Sequence, residues 1–194
     1  ILRLTTRTSH SSSLVELGDF SPKPHPLIPY VKDIRRNIPV PAFSPTQRLN
    51  AQKRTAAMEK AACTSPFNRV VKPAKGVKVS AAAKGLGIVT SAVAYQYVKE
   101  IFPDVPILKL GWTNPLPKAL VAKFAKTVER LLVVEELDPF LEDQVKAMGL
   151  PVVAHKTELN MLELNADRLQ NLRHEILGDV PKAKARKVDE TLPR

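Results

Sequence analysis

From Gly85 onward the chain alternates short apolar runs with amphipathic stretches, and this narrows its possible folds more than any other feature. GLGIVTSAVAYQYVKE, residues 85–100, opens the pattern. Leu86 to Val89 reads as a buried strand, and Thr90 and Ser91 as a tight turn. Ala92 to Ile101 reads as a helix with Val93, Tyr97 and Ile101 on one face. Ser91 suits the N-cap, where its hydroxyl can accept from amides of the first turn. ILKLG (107–111), LLVVEE (131–136) and PVVAHK (151–156) read as three further strands. PKALVAKFAKTV (117–128), LDPFLEDQVKAMG (137–149) and ADRLQNLRHEIL (166–177) read as helices. Pro117 and Pro139 suit first helical positions, Asp138 a cap, and Gly149 a helix end. Such alternation implies parallel strands joined by right-handed crossovers. The expected fold class is therefore α/β: an open parallel sheet with helices on both faces, plus an extended Pro-rich N-terminal arm.

The remainder is organised around that domain, expected over 85–177. Residues 1–17 read as two short strands, ILRLTT and LVEL, around a Ser-rich loop. A chain that opens at Ile1 inside a strand is expected to be a fragment. Residues 18–84 read as a linker, with prolines at 22, 24, 26, 29, 39, 41 and 45 that exclude a helix or central strand. One helix, about 46–63, interrupts it with a thin apolar stripe and a basic face, as in a solvated linker helix. Phe67 follows as an expected apolar anchor. Residues 178–194 form a charged tail.

Charge is unevenly spread. Residues 1–78 hold 14 Lys and Arg against 4 Asp and Glu, residues 79–150 hold 8 of each, and residues 151–194 hold 8 against 7. Ten of the net +11 charges thus belong to residues 1–78, which suits an acidic partner surface better than nucleic acid. An independent basic module for an acidic partner or nucleic acid stays open as the alternative. Cys63 is alone, and His10, His25, His155 and His174 lack metal-ligand spacing, so no metal site is expected. No apolar run reaches the length of a membrane span.

In an open parallel sheet, ligands bind beyond the carboxyl ends of the strands. Those ends carry Thr90 and Ser91, then Trp112, Thr113 and Asn114, then Glu135 and Glu136, then His155. Ser91 can cap a helix or contact an anion. Glu135 and Glu136 are adjacent, so they point to opposite faces and form no acid/base pair; one is expected to meet a lysine or an amide. His155 suits a structural hydrogen bond. GLGIVTSA lacks the third glycine of a dinucleotide fingerprint, and neither a P-loop nor a nucleophile elbow is present. No catalytic residue is expected within the chain.

Several stretches carry a resemblance. GIVTSAVAYQYVKE, ILKLGWTNPLP and LLVVEELDPFLEDQV resemble the transketolase C-terminal-like domain of the α subunit of indolepyruvate ferredoxin oxidoreductase, in the 2-oxoacid:ferredoxin oxidoreductase family. LRLTTRTSHSSSLVEL resembles the end of that subunit's pyrimidine-binding domain, and Arg7 to His10 are similar to the matching run of pyruvate ferredoxin oxidoreductases. YVKDIRRNIPVPAF and SPFNRV resemble the connecting arm. The closing LPR falls where the family passes to a domain holding the diphosphate of thiamine. The resemblance implies a cytoplasmic parent enzyme that converts an aryl-pyruvate and coenzyme A to aryl-acetyl-CoA and CO2. It implies thiamine diphosphate and iron–sulfur clusters in the parent, but neither in this segment, which alone should be inactive. Implied partners are the remaining domains of the subunit, a second, smaller subunit, and ferredoxin. The resemblance implies that coenzyme A approaches near this domain, and an anion or coenzyme A contact by Ser91, Asn114 or the basic arm is the expectation built on it. Two departures stand out: Ala92 where the family pattern has glycine, and Trp112-Thr113-Asn114 in place of Phe-Thr-Tyr or Met-Thr-Tyr.

Overall fold

The computed structural model describes residues 9–18, 26–157, 159 and 163–184. The chain divides into two compact units, Ile1–Phe43 and Ser44–Arg194.

In the first unit, residues 11–18 and 26–33 are irregular and exposed, and helix α1 spans Ile34–Asn37. Asp33 caps α1 by accepting from the Arg36 N–H at 3.1 Å. LVEL is not a strand: Leu14, Val15 and Leu17 lie exposed, with no ladder partner among the described residues. ILRLTT and Arg7 lie outside the described residues, as does the tail beyond residue 184.

The second unit holds the sheet. Its elements are α2 (Ser44–Thr64), β1 (Arg69–Val71), β2 (Leu86–Ser91), α3 (Ala94–Ile101), β3 (Ile107–Leu110), α4 (Lys118–Ala125), β4 (Arg130–Val134), α5 (Phe140–Ala147) and α6 (Ala166–Leu177). The strand order is β1-β3-β2-β4. β2 pairs in parallel with β3 and with β4, while β1 pairs antiparallel with β3, Val70 opposite Leu108. The sheet is therefore open but mixed. β1 precedes the first strand–helix–strand unit, so no crossover constrains its direction.

Alternation along the strands builds two cores. Leu86, Ile88, Ile107, Leu132 and Val134 pack with Ala94, Tyr95 and Val98 of α3 and Leu169 and Leu172 of α6. Val89, Leu108, Leu110, Leu131 and Val133 face the other way, against Val121 and Phe124 of α4 and Leu141 and Val145 of α5. Helices thus cover both faces, as expected. Gly87 lets β2 lie close against α4 and the residues just after it: a Cβ there would lie 2.7 Å from a Val128 methyl and 3.0 Å from the Phe124 ring. α2 buries only Ala62, as its weak apolar stripe implied.

Local expectations were corrected in four places. The 151–156 strand reduces to a single parallel bridge, Leu131 to Val152, with the Val153 N–H donating to the Leu131 carbonyl at 2.8 Å. Pro151 has no N–H for a ladder, and Glu175 of α6 takes the amides of Lys156 and Thr157 instead. Ser91 does not cap α3: it ends β2, paired with Leu110, and the cap position is Val93, with no side-chain hydrogen bond. Asp138 does not cap α5, and Pro117 and Pro139 stand at the cap positions of α4 and α5 rather than inside them. Phe67 is no anchor, being 69% exposed. Among the described residues no helix is long and apolar enough to cross a membrane.

Candidate functional site

The carboxyl ends of β2 and β4 mark where the order of connections reverses, because α3 lies on one face and α4 and α5 on the other. Thr90 is fully buried there, paired with Lys109 and Val134. Ala92 follows with φ of +49°, a left-handed turn that glycine adopts without cost and alanine does not. The structure thus gives physical meaning to the departure at this position.

The β3–α4 loop is tied from an unexpected direction. Asn68, buried between α2 and β1, accepts from the Gly111 and Trp112 N–H groups, both at 2.9 Å, through Oδ1. Its Nδ2 donates to the carbonyls of Ala62 at 2.8 Å and Trp112 at 3.3 Å. One amide side chain therefore joins the end of α2, the start of β1 and the loop after β3. Trp112 Nε1 donates to the Asn114 carbonyl at 3.0 Å, and the Asn114–Pro115 peptide is cis. Asn114 itself is exposed.

Beyond β4 lies a cleft of about 350 Å³, with Glu135, Glu142, Asp143, Lys146, His155 and Lys156 among its lining residues. Glu135 and Glu136 do diverge. Glu135 accepts from the N–H groups of Leu141, at 2.8 and 2.9 Å, and Glu142, at 2.9 Å, and so caps α5 from outside the helix. Glu136 accepts from the Leu164 N–H at 2.8 Å. Both glutamates meet amides. Burial pushes the Glu135 carboxyl above its usual range; the amide bonds pull it back only partly, and Glu142 and Asp143 add repulsion. Glu142 pairs with Lys146 one turn along α5. His155 Nδ1 meets the Thr157 carbonyl at 2.9 Å, and Thr157 Oγ1 donates to Glu175 at 2.6 Å.

Glu135, Glu142, Lys146 and His155 are thus occupied by partners within the cleft's own turns. The α5 amides that could receive a diphosphate already hold Glu135, and Glu142 and Asp143 stand beside them. The cleft does not fit thiamine diphosphate. Nor does the chain supply a cluster site: Cys63 is its one cysteine, and its Sγ donates to the Glu59 carbonyl within α2. Among the described residues no group of three His, Cys, Asp or Glu could hold a metal ion.

At the opposite edge of the sheet lies a network that sequence reading missed. Arg173 of α6, 7% exposed, donates through Nη1 to the Ile101 carbonyl and to Asp104, both at 2.7 Å. It reaches Asp104 again through Nη2 at 3.2 Å, and Asp179 through Nε and Nη2 at 2.9 and 2.5 Å. Ser80 closes the network, its N–H donating to Asp104 and its hydroxyl to Asp179. Burial works against ionised Asp104, but hydrogen bonds from Arg173 and Ser80 outweigh it and hold the carboxyl below its usual range. Hydrogen bonding from Arg173 does the same for Asp179 more strongly than burial opposes it. One signal existed: Arg173 falls in the apolar stripe Leu169, Leu172, Ile176 of α6, where a cation needs a buried partner.

Fold and edge together define an open α/β domain with a mixed four-stranded sheet, whose Glu135 and Glu136 are spent on its own turns. Comparison with curated proteins gives the particular relatives. Indolepyruvate oxidoreductase subunit IorA of Methanothermobacter marburgensis is 36% identical over 163 residues, 80% of this chain and 25% of its own length. IorA of Archaeoglobus fulgidus is 30% identical over 188 residues, 93% of this chain and 29% of its own length. IorA of Pyrococcus abyssi is 33% identical over 172 residues, 82% of this chain and 25% of its own. The chain spans about a quarter of the length of these relatives. No family model matches the chain, and no solved structure matches it. These similarities place the chain in the indolepyruvate oxidoreductase subunit family, as the match to one segment of that subunit, and bear out the resemblance to the subunit.

Proposed function

We propose that the chain is a non-catalytic scaffold and interface segment of a thiamine-dependent indolepyruvate:ferredoxin oxidoreductase. In this reading the parent enzyme forms aryl-acetyl-CoA and CO2. Thiamine diphosphate and the iron–sulfur clusters are held by other parts of the polypeptide, and a second, smaller subunit and ferredoxin complete the system. The observation that carries the reading is that the carboxylates beyond β4 are spent: Glu135 takes the α5 amides and Glu136 the Leu164 amide, so that among the described residues of this edge the buried Thr90 hydroxyl is what stands without a hydrogen-bond partner. Titration of the chain with thiamine diphosphate and Mg2+ in a calorimeter tests this. No heat of binding is expected; saturable micromolar binding would overturn it.

Within this reading, Ser91 and Asn114 are the residues proposed to meet coenzyme A in the assembled enzyme. Ser91 ends β2 and pairs with Leu110, the last residue of β3, while Asn114 lies in the loop that follows β3, and neither caps a helix. A Ser91→Ala change in the full-length enzyme should raise the KM for coenzyme A with kcat retained. An unchanged KM for both Ser91→Ala and Asn114→Ala removes the assignment.

A further inference from the structure

β1 ends the sheet, and its outer side carries no strand among the described residues. Among the described residues the backbone groups of Arg69, Val70 and Val71 pair with β3 alone. An open edge of this kind is a template for another strand.

The chemistry around the edge is one-sided. Between Glu59 and Glu100 the sequence holds seven Lys and Arg and no Asp or Glu. Arg69 lies directly opposite Lys109 in the antiparallel register, so the two cations share a face of the sheet. Like charges in that position repel. Among the described residues neither forms an ion pair, and Lys109 Nζ rests 5.1 Å from the centre of the Tyr95 ring. Lys72 adds a further cation just past the strand. Two apolar side chains stand exposed beside these charges, Phe67 at 69% and Val70 at 46%. A second copy of the same edge would set cation against cation, so self-pairing is disfavoured. An acidic strand would neutralise Arg69, Lys72 and Lys109 while covering Phe67 and Val70.

We propose that β1 is a docking edge for an extended acidic segment from a neighbouring part of the assembly, added as a fifth strand. Main-chain hydrogen bonds to β1 hold the segment, its carboxylates face the basic row, and its apolar residues cover Phe67 and Val70. The inference rests on the reading of the chain as an interface segment, but its test does not depend on turnover or on thiamine binding.

The test uses the isotope-labelled chain and a peptide of about ten residues alternating Glu and Val, long enough to pair along the strand. Its Lys–Val counterpart is the control. The acidic peptide is expected to shift and protect the amides of 69–71, and to lose about tenfold in affinity between low and high salt. The double change Arg69→Glu and Lys72→Glu should weaken binding about tenfold, and the milder Arg69→Gln with Lys72→Gln reports the same trend should the reversal disturb folding. The proposal is overturned by shifts confined to other basic surfaces, or by affinity indifferent to both double changes. A thymidine oligonucleotide that binds more tightly at the same amides, or a dimer that protects β1 without peptide, overturns it too.

Discussion

Replacing Arg173 by methionine keeps most of the side chain's bulk and removes its charge and all five donated bonds. The two carboxylates it serves differ in how much they then lose. The Asp104 side chain is 4% exposed, so water cannot replace the guanidinium, and backbone N–H donation, chiefly from Ser80, is what remains among the described residues. The Asp179 side chain is 17% exposed and keeps the Ser80 hydroxyl. The cost therefore concentrates on Asp104, and leaving one buried partner uncompensated costs about 3–5 kcal/mol. The sign with pH follows from the carboxyls held below their usual range. Their stabilisation is present above the ordinary aspartate value and is lost as pH falls through the folded-state values. In Arg173→Met burial acts on Asp104 unopposed by the guanidinium, so the deficit should be largest near neutral pH and shrink towards pH ~3. Urea unfolding followed by far-UV circular dichroism and by fluorescence of Trp112, the sole tryptophan, measures this. A deficit below about 1 kcal/mol at neutral pH, or one of equal size at pH ~3, refutes the reasoning. Arg173→Met combined with Asp104→Leu should recover much of the loss, since no buried charge is then left unpaired.

Glu135→Ala should cost about 1–2 kcal/mol in the same unfolding assay, because the Leu141 and Glu142 amides lose their cap. Glu135→Gln keeps an acceptor and removes the charge. With its carboxyl raised by burial, Glu135 contributes stability below the ordinary glutamate range that is lost as pH rises through the folded value, and this change should remove that slope. Gly87→Ala should cost about 1–3 kcal/mol by driving a methyl into Val128 and Phe124, read as a lower urea midpoint. Ala92→Gly should stabilise by up to about 1 kcal/mol, because the position is left-handed; destabilisation there would mean the turn tolerates alanine freely.

The parallel βαβαβ core was legible because its signal is periodic: apolar runs at β2, β3 and β4, and stripes on the helices between them, each buried where the pattern put it. What escaped was set by single residues acting at a distance in sequence. β1 has three residues, too few for any period, and its place depends on Asn68 bonding to a loop more than forty residues on. The two misplaced caps have separate causes. Ser91 and Asp138 have the right chemistry for capping, but the ladder extends through Ser91, and the α5 amides are taken by Glu135 reaching forward from the end of β4. The PVVAHK run has strand composition, yet Pro151 and the pull of Glu175 on the next amides leave one bridge. At the site, the divergence of Glu135 from Glu136 followed from strand geometry alone. That both would be capping groups depended on where α5 and Leu164 come to lie.

The central claim is that this segment shapes and joins an oxidoreductase without doing its chemistry. The measurement that tests it most directly is indolepyruvate-dependent reduction of a viologen dye in the presence of coenzyme A, thiamine diphosphate and Mg2+. It compares the chain alone, the full-length polypeptide with its second subunit, and that enzyme carrying Glu135→Gln or His155→Ala. The chain alone should be inactive, and both variants should keep kcat within about twofold of the parent, a difference below about 0.5 kcal/mol in barrier height. Turnover by the chain alone, or a hundredfold fall in kcat in a variant that still folds and assembles, would contradict it.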